Sequence, residues 1–135
     1  MGRILVVDDE KTIRELLTKI IENMGHEVIL ASDGKEGFYS FVNNSIDLVV
    51  TDFDMPFMNG WNLTHNIKER SPETPVVLVT GSEIYNNGMQ TKDNLFNSVV
   101  LKPFDLQEIK ESIREFIPDG IVFDLGGWRN GYKGI

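Results

Sequence analysis

Asp52 and Asp54 stand one residue apart in the stretch TDFDMPFMNGW, directly after the apolar run Leu48-Val49-Val50. A second acidic pair, Asp8-Asp9, follows the apolar run RILVV near the start of the 135-residue chain. Carboxylates can hold a hard cation, attack as nucleophiles or move protons as acid and base. Which of these they do here depends on the elements that place them.

Each acidic pair ends a run that reads as a strand. After Arg3 to Val7, residues Ile13, Leu16, Leu17, Ile20, Ile21 and Met24 recur at helical spacing, and Gly25 is placed to end that helix in a left-handed cap. Val28 to Ala31 predicts a second strand, Asp33-Gly34 a turn, and Lys35 to Val42 a short helix. Ile46 to Thr51 predicts a third strand, and Asn59 to Arg70 a helix carrying Trp61, Leu63 and Ile67. Pro75 to Thr80 and Ser98 to Leu101 are further strands, and Asp105 to Phe116 a final helix with Leu106, Ile109, Ile113, Phe116 and Ile117 on its apolar side. Between Ser82 and Asn97 the pattern weakens at Asn86, Asn87 and Gly88, so the fourth helix expected there is short. Strands apolar on both faces and alternating with helices predict an α/β fold with a doubly wound, five-stranded parallel sheet. The expected organisation is one domain over residues 1–118 and a tail over 119–135, with no output domain appended. The tail, glycine-broken and carrying Phe123, Trp128 and Tyr132, reads as a docking segment or an arm folded back on the domain.

Composition narrows the function classes. The chain has no cysteine, which excludes disulfides, thiolate metal sites and a catalytic thiol, and fits a cytoplasmic location. No apolar run approaches the roughly 20 residues that span a bilayer. A net charge of −8 offers no electrostatic basis for binding nucleic acid. His26 and His65 are distant in sequence and both read as lying in polar surroundings, so neither is expected to ligate a metal.

In a doubly wound sheet, ligands sit beyond the carboxyl ends of the strands. Those ends carry Asp8, Asp9, Asp52, Thr80 and Lys102. Taken singly, each has a plainer role: Asp8 or Asp9 caps the first helix, Thr80 ends a strand, and Lys102 is solvated. Taken together, three carboxylates repel unless a cation neutralises them. An all-oxygen ligand set suits Mg²⁺, with Mn²⁺ as the alternative ion, and a dication plus Lys102 balances three negative charges. Such a site is suited to placing a phosphoryl group, with a carboxylate as nucleophile, lysine as counter-charge and threonine as hydroxyl donor.

These residues resemble a known family. The acidic pair Asp8-Asp9 after VV, the DxxMPxMxG run of Asp52, Met55, Pro56, Met58 and Gly60, Thr80 after VVLV, and Lys102-Pro103-Phe104 are similar to the receiver domains of two-component response regulators over residues 3 to 117. The resemblance implies a flavodoxin-like fold with strand order 2-1-3-4-5. It implies that Asp52 accepts a phosphoryl group from a sensor histidine kinase or a histidine phosphotransferase, catalysing only its own phosphorylation and dephosphorylation rather than turning over as an enzyme. It further implies that Asp9, Asp52 and the backbone carbonyl of Asp54 ligate Mg²⁺, with Asp8 acting through a metal-bound water. Thr80 and Lys102 would bind the phosphoryl group. Pro56, Gly60 and Pro103 would shape the loops, Lys102-Pro103 through a cis peptide. The surface formed by about residues 83–117 would then be read by an effector protein or a second copy of the chain.

Two positions depart from the family. Val99 stands where receiver domains usually carry Tyr or Phe, so the expected switch runs through Thr80 and a mobile segment at residues 83–95 instead. Asp54 reads either as an exposed rim carboxylate or, with Ser82, as a modulator of phosphoryl lifetime. Two other functions compete. One is a phosphatase of haloacid-dehalogenase type using Asp52 and Asp54, against which Pro56 and the early acidic pair weigh. The other is an interaction module of receiver or flavodoxin shape that is never phosphorylated.

Overall fold

A computed structural model describes residues 2–81 and 95–120, together with the backbone of residues 123–124 and 127–128. The expected fourth helix, the segment proposed as mobile up to residue 94, and Ser82 lie outside the described residues. Strands β1 (Arg3–Val7), β2 (Glu27–Ala31), β3 (Leu48–Thr51), β4 (Val76–Gly81) and β5 (Ser98–Lys102) form one sheet in the order β2-β1-β3-β4-β5. Every pairing in it is parallel. The helices are α1 (Lys11–Asn23), α2 (Gly34–Asn43), α3 (Gly60–Arg70) and α4 (Leu106–Arg114). In the tail, β6 (Phe123–Asp124) and β7 (Gly127–Trp128) pair antiparallel. The fold is the expected doubly wound, flavodoxin-like one.

Strand periodicity divides the core. Ile4 and Val6 of β1, Leu48 and Val50 of β3, and Val77 and Val79 of β4 face Leu17, Ile20 and Ile21 of α1 and Ile109 and Ile113 of α4. The alternate residues Leu5, Val7, Val49, Val76 and Leu78 face Phe41 of α2 and Leu63 and Ile67 of α3. The expectation that all strands are apolar and buried on both faces holds for β1, β3 and β4 only. At the sheet edges, where a strand has one neighbour, Leu30 of β2 and Leu101 of β5 are 44% and 38% exposed.

Local chemistry sets the helix starts. Asp33 accepts the Glu36 amide at 2.7 Å, Asn59 the Asn62 amide at 2.8 Å, and Asp105 the Glu108 amide at 2.8 Å, so each satisfies an N–H that the first turn leaves free. α1 differs: its N-cap is Glu10 and no side chain caps it. Asp8 and Asp9 are therefore not helix caps, and Asp8 accepts the Glu10 amide at 2.9 Å just outside the helix.

At the opposite end of the sheet, Gly25 has φ +90°, the left-handed geometry expected after α1. Gly120 packs on it, donating its N–H to the Met24 carbonyl at 2.8 Å. His26 lies beside this turn and is 4% exposed, with Nδ1 accepting the Gly2 amide at 3.0 Å. The reading of polar surroundings is thus corrected for His26, whose burial pushes its pKa down. His65 instead stacks on Trp61 with centroids 5.2 Å apart on the outside of α3.

A methyl group at residue 25 would both strain the backbone and meet Gly120 main-chain atoms within 2.6 to 2.8 Å. Gly25→Ala is expected to cost about 2 kcal/mol or more. Urea denaturation with an unchanged m-value checks this, and an unchanged midpoint would contradict the Gly25–Gly120 contact.

Candidate functional site

The site grows out of the sheet by the same alternation that builds the core. Asp8 continues the row Ile4-Val6, Asp52 the row Leu48-Val50, and Lys102 the row begun by Val100. Since Val7 pairs with Thr51, Asp8 and Asp52 come next in register on adjacent strands. The main chain holds them there: the Asp52 amide donates to the Val7 carbonyl at 2.9 Å and the Asp8 amide to the Ala31 carbonyl at 3.2 Å. The Lys102–Pro103 peptide is cis.

These placements bring one cation among three anions. Lys102 Nζ lies 3.4 Å from Asp8 Oδ2, 3.5 Å from Asp52 Oδ2 and 3.5 Å from Glu10 Oε1. Each distance exceeds that of a well-formed charged hydrogen bond, so the ammonium is shared rather than committed. Carboxylate oxygens of Asp8, Asp9, Glu10 and Asp52 all lie within 4.8 Å of one another. The charge count made on three carboxylates is thereby corrected: with Glu10, four negative charges face one lysine. Among the described residues no second basic side chain is seen reaching a carboxylate of this cluster.

Burial sharpens the imbalance. Asp8 is 1% and Asp52 7% exposed. Burial, reinforced by the charge of Asp8, pushes the Asp52 carboxyl up to about 6. Burial also raises Asp8, against the pull of the Glu10 amide and Lys102. For Lys102, burial works against the charged form, but Asp52 and Asp8 outweigh it and hold the ammonium above its ordinary value. An all-oxygen donor set with excess negative charge is what a divalent cation of the Mg²⁺ type requires, so the residues present fit such an ion.

The neighbouring loop is tightly held. Asp52 Oδ1 accepts the Phe53 amide at 2.8 Å, Thr51 Oγ1 donates to the Asp52 carbonyl at 2.8 Å, and Met55 is buried. The Gly60 amide donates to the Phe53 carbonyl at 2.7 Å. Any Cβ at residue 60 would overlap the Asp52 carbonyl oxygen, so this close approach excludes every other residue type. Asp54 is exposed, and its side chain is outside the acidic cluster.

Thr80 ends the fully buried part of β4, and its Oγ1 has no hydrogen-bond partner among the described residues. Val99 is half-buried against the α2 and α3 side of the core, where its branched side chain has no polar end to turn toward the site. Sequence reasoning missed two contributors. Glu10 is visible in the sequence only as a third acid directly after Asp8-Asp9. Arg14 donates Nη1 to the Asp8 carbonyl at 2.7 Å, bracing the loop from one turn into α1, and helical spacing from Glu10 was its only signal.

A parallel sheet ordered 2-1-3-4-5 with acids at its carboxyl rim defines first a class, the doubly wound flavodoxin-like proteins. The family follows from comparison. Residues 4–114 match the response regulator receiver domain, and the chain belongs to that family, as a receiver domain of a two-component response regulator. Response regulator ArlR of Staphylococcus saprophyticus is 26% identical over 130 residues, covering 94% of this chain and 59% of its own. The chain spans between 12% and 59% of the lengths of the curated relatives it matches. A receiver domain structure from Clostridium thermocellum superposes with a TM-score of 0.80 at 33% identity, covering 87% of this chain and 94% of that one. Response regulator TrrA of Thermotoga maritima, in complex with Mg²⁺-BeF, does so with a TM-score of 0.79 at 32% identity, covering 87% of this chain and all of that one.

The site's charge is costly to the fold in the metal-free protein. Between the ordinary carboxyl pKa of 3.8 and about 6, folded Asp52 keeps a proton that the unfolded chain releases. The stability this contributes is fully present below 3.8 and is lost as pH rises through 6. Asp52→Asn is therefore expected to stabilise the metal-free protein by about 1 to 3 kcal/mol at pH 7 and by much less at pH 4, measured by urea denaturation. Thr80→Val, which removes a buried hydroxyl with no partner among the described residues, is expected to stabilise by about 1 kcal/mol at either pH. A loss of stability in both variants would contradict the account.

Proposed function

We propose that Asp52 accepts a phosphoryl group from a phosphohistidine on a sensor kinase or histidine phosphotransferase. A lone pair on the Asp52 carboxylate attacks phosphorus, the phosphorus–nitrogen bond breaks, and the imidazole leaves with that electron pair and takes up a proton. The product is an acyl phosphate. One observation carries the reading: Asp52 and Asp8, buried side by side, share Lys102 beside a third acid.

The family pattern, together with the surroundings of each side chain, supports a role for each. Lys102, already the counter-charge of Asp52, pairs with an incoming phosphoryl oxygen. Thr80 supplies the hydroxyl that has no partner among the described residues. Asp9, Asp52 and the backbone carbonyl of Asp54 would ligate Mg²⁺ or Mn²⁺, with Asp8 behind a bound water. Such an ion, when bound, supplies the charge that keeps Asp52 ionised and neutralises phosphoryl oxygens. Asp54, exposed beside the nucleophile, together with Ser82 tunes how long the acyl phosphate lasts. With Val99 in place of an aromatic, the signal passes from Thr80 to the surface of β5 and α4, where an effector protein or a second copy of the chain reads it.

Mg²⁺ is expected to raise the Tm of the native chain at pH 7 and to leave that of Asp52→Asn nearly unchanged. Beryllofluoride should bind only with Mg²⁺ present and not to Asp52→Asn; binding to that variant would remove Asp52 from its role. Phosphotransfer profiling against the histidine kinases of the source organism identifies the donor. Asp54→Asn is expected to speed loss of the phosphoryl group at fixed Mg²⁺, and identical rates would make Asp54 a bystander.

A further inference from the structure

The loop from Asp52 to Gly60 holds a residue that its own packing does not explain. Phe57 has φ +71°, and the Met58 amide donates to the Pro56 carbonyl at 2.8 Å, which makes Phe57 the centre of a γ-turn of the strained, positive-φ form. A bulky residue is an outlier there, and glycine would fit at no steric cost. The side chain does not recover that penalty by burial, because Phe57 is 85% exposed. The rest of the loop leaves it no freedom to turn inward. Met55 is buried, Gly60 is locked to Phe53, and the Met58 carbonyl lies so close to Gly34 that no Cβ would fit there. A second exposed aromatic, Tyr39 of α2, is 70% exposed and lines the same open groove of about 440 Å³, with Asp33, Lys35 and Glu36 between.

Chain geometry places Phe57 relative to the chemistry. Gly60 touches the Asp52 main chain and lies three residues from Phe57, so the two Cα atoms of Phe57 and Gly60 are at most about 11 Å apart. A stable protein contact covers about 800 Å² on each partner, a disc of about 16 Å radius. A protein that brings a side chain down onto Asp52, itself only 7% exposed, and is centred there has a footprint that reaches Phe57. A small phosphodonor does not.

Resting on the phosphoacceptor reading, we propose that Phe57, flanked by Tyr39, is a specificity-determining contact for the protein that delivers the phosphoryl group. The strained turn presents an aromatic anchor beside the acceptor, and aromatic residues are enriched at the buried centres of protein interfaces. The anchor selects the donor and leaves the chemistry at Asp52 untouched.

The test compares Phe57→Gly and Tyr39→Ala with the native chain, using acetyl phosphate and the purified phosphorylated kinase that transfers fastest in the profiling. Phe57→Gly should raise KM for the kinase about tenfold or more, with Tyr39→Ala smaller in the same direction and kcat within about twofold. Phosphorylation by acetyl phosphate and Mg²⁺-dependent beryllofluoride binding should stay within about twofold, and the Tm of Phe57→Gly should not fall. Equal slowing with kinase and acetyl phosphate would overturn the proposal, since the side chain would then be setting loop geometry. Unchanged transfer from the kinase would overturn it too, as would a native dimer that Phe57→Gly dissociates without altering transfer. If beryllofluoride fails to bind the native chain, the phosphoacceptor reading itself falls and takes the proposal with it.

Discussion

The repulsion among the carboxylates gathered around Lys102 is the constraint on which the rest of the structure depends. Isolated in water, Asp8, Asp9, Glu10 and Asp52 would not approach within 4.8 Å of one another. They do so because their backbones are extensions of buried parallel strands, and strand pairing is supported by a core on each face of the sheet. Hydrophobic burial spread over many residues thus holds a local arrangement that electrostatics alone would disperse.

That division of labour shows in which residues are oriented and by what. The even-numbered rows of β1 and β3 are apolar until they leave the sheet at Asp8 and Asp52, and in β5 buried Val100 precedes Lys102 on the same row. The loop after Asp52 is closed by a main-chain hydrogen bond and by close glycine contacts, which leave it little room to relax the charge by moving apart. What remains is a shift in protonation, visible as the raised Asp52 carboxyl, or recruitment of a cation. A receiver domain built this way is destabilised at its site so that a ligand of the right charge is favoured there.

The same logic extends to the loop surface. A γ-turn with phenylalanine at positive φ persists because the residues around it over-determine the path of the chain. Asp54, by contrast, is exposed two residues after Asp52 with its side chain outside the cluster, so a pair that reads symmetrically in TDFDMPFMNGW divides into one buried group and one rim group. The pleat accounts for Asp52 and the loop path accounts for Asp54.

By itself the sequence determined the doubly wound alternation of strands and helices, the central buried strands and the presence of Asp8, Asp9, Asp52 and Lys102 at one rim. These follow from periodicity, from turn and cap residues and from the rule that strand ends share an edge, all of which are local or topological. Only the tertiary structure decided that Glu10 joins the lysine, that Arg14 braces the Asp8 carbonyl, that His26 is buried against Gly2, and that Gly120 closes on Gly25. Each of these depends on distances between segments remote in sequence or on the direction a side chain takes after its strand ends. No periodic pattern encodes such distances, because they are set by how helices and loops pack once the sheet exists.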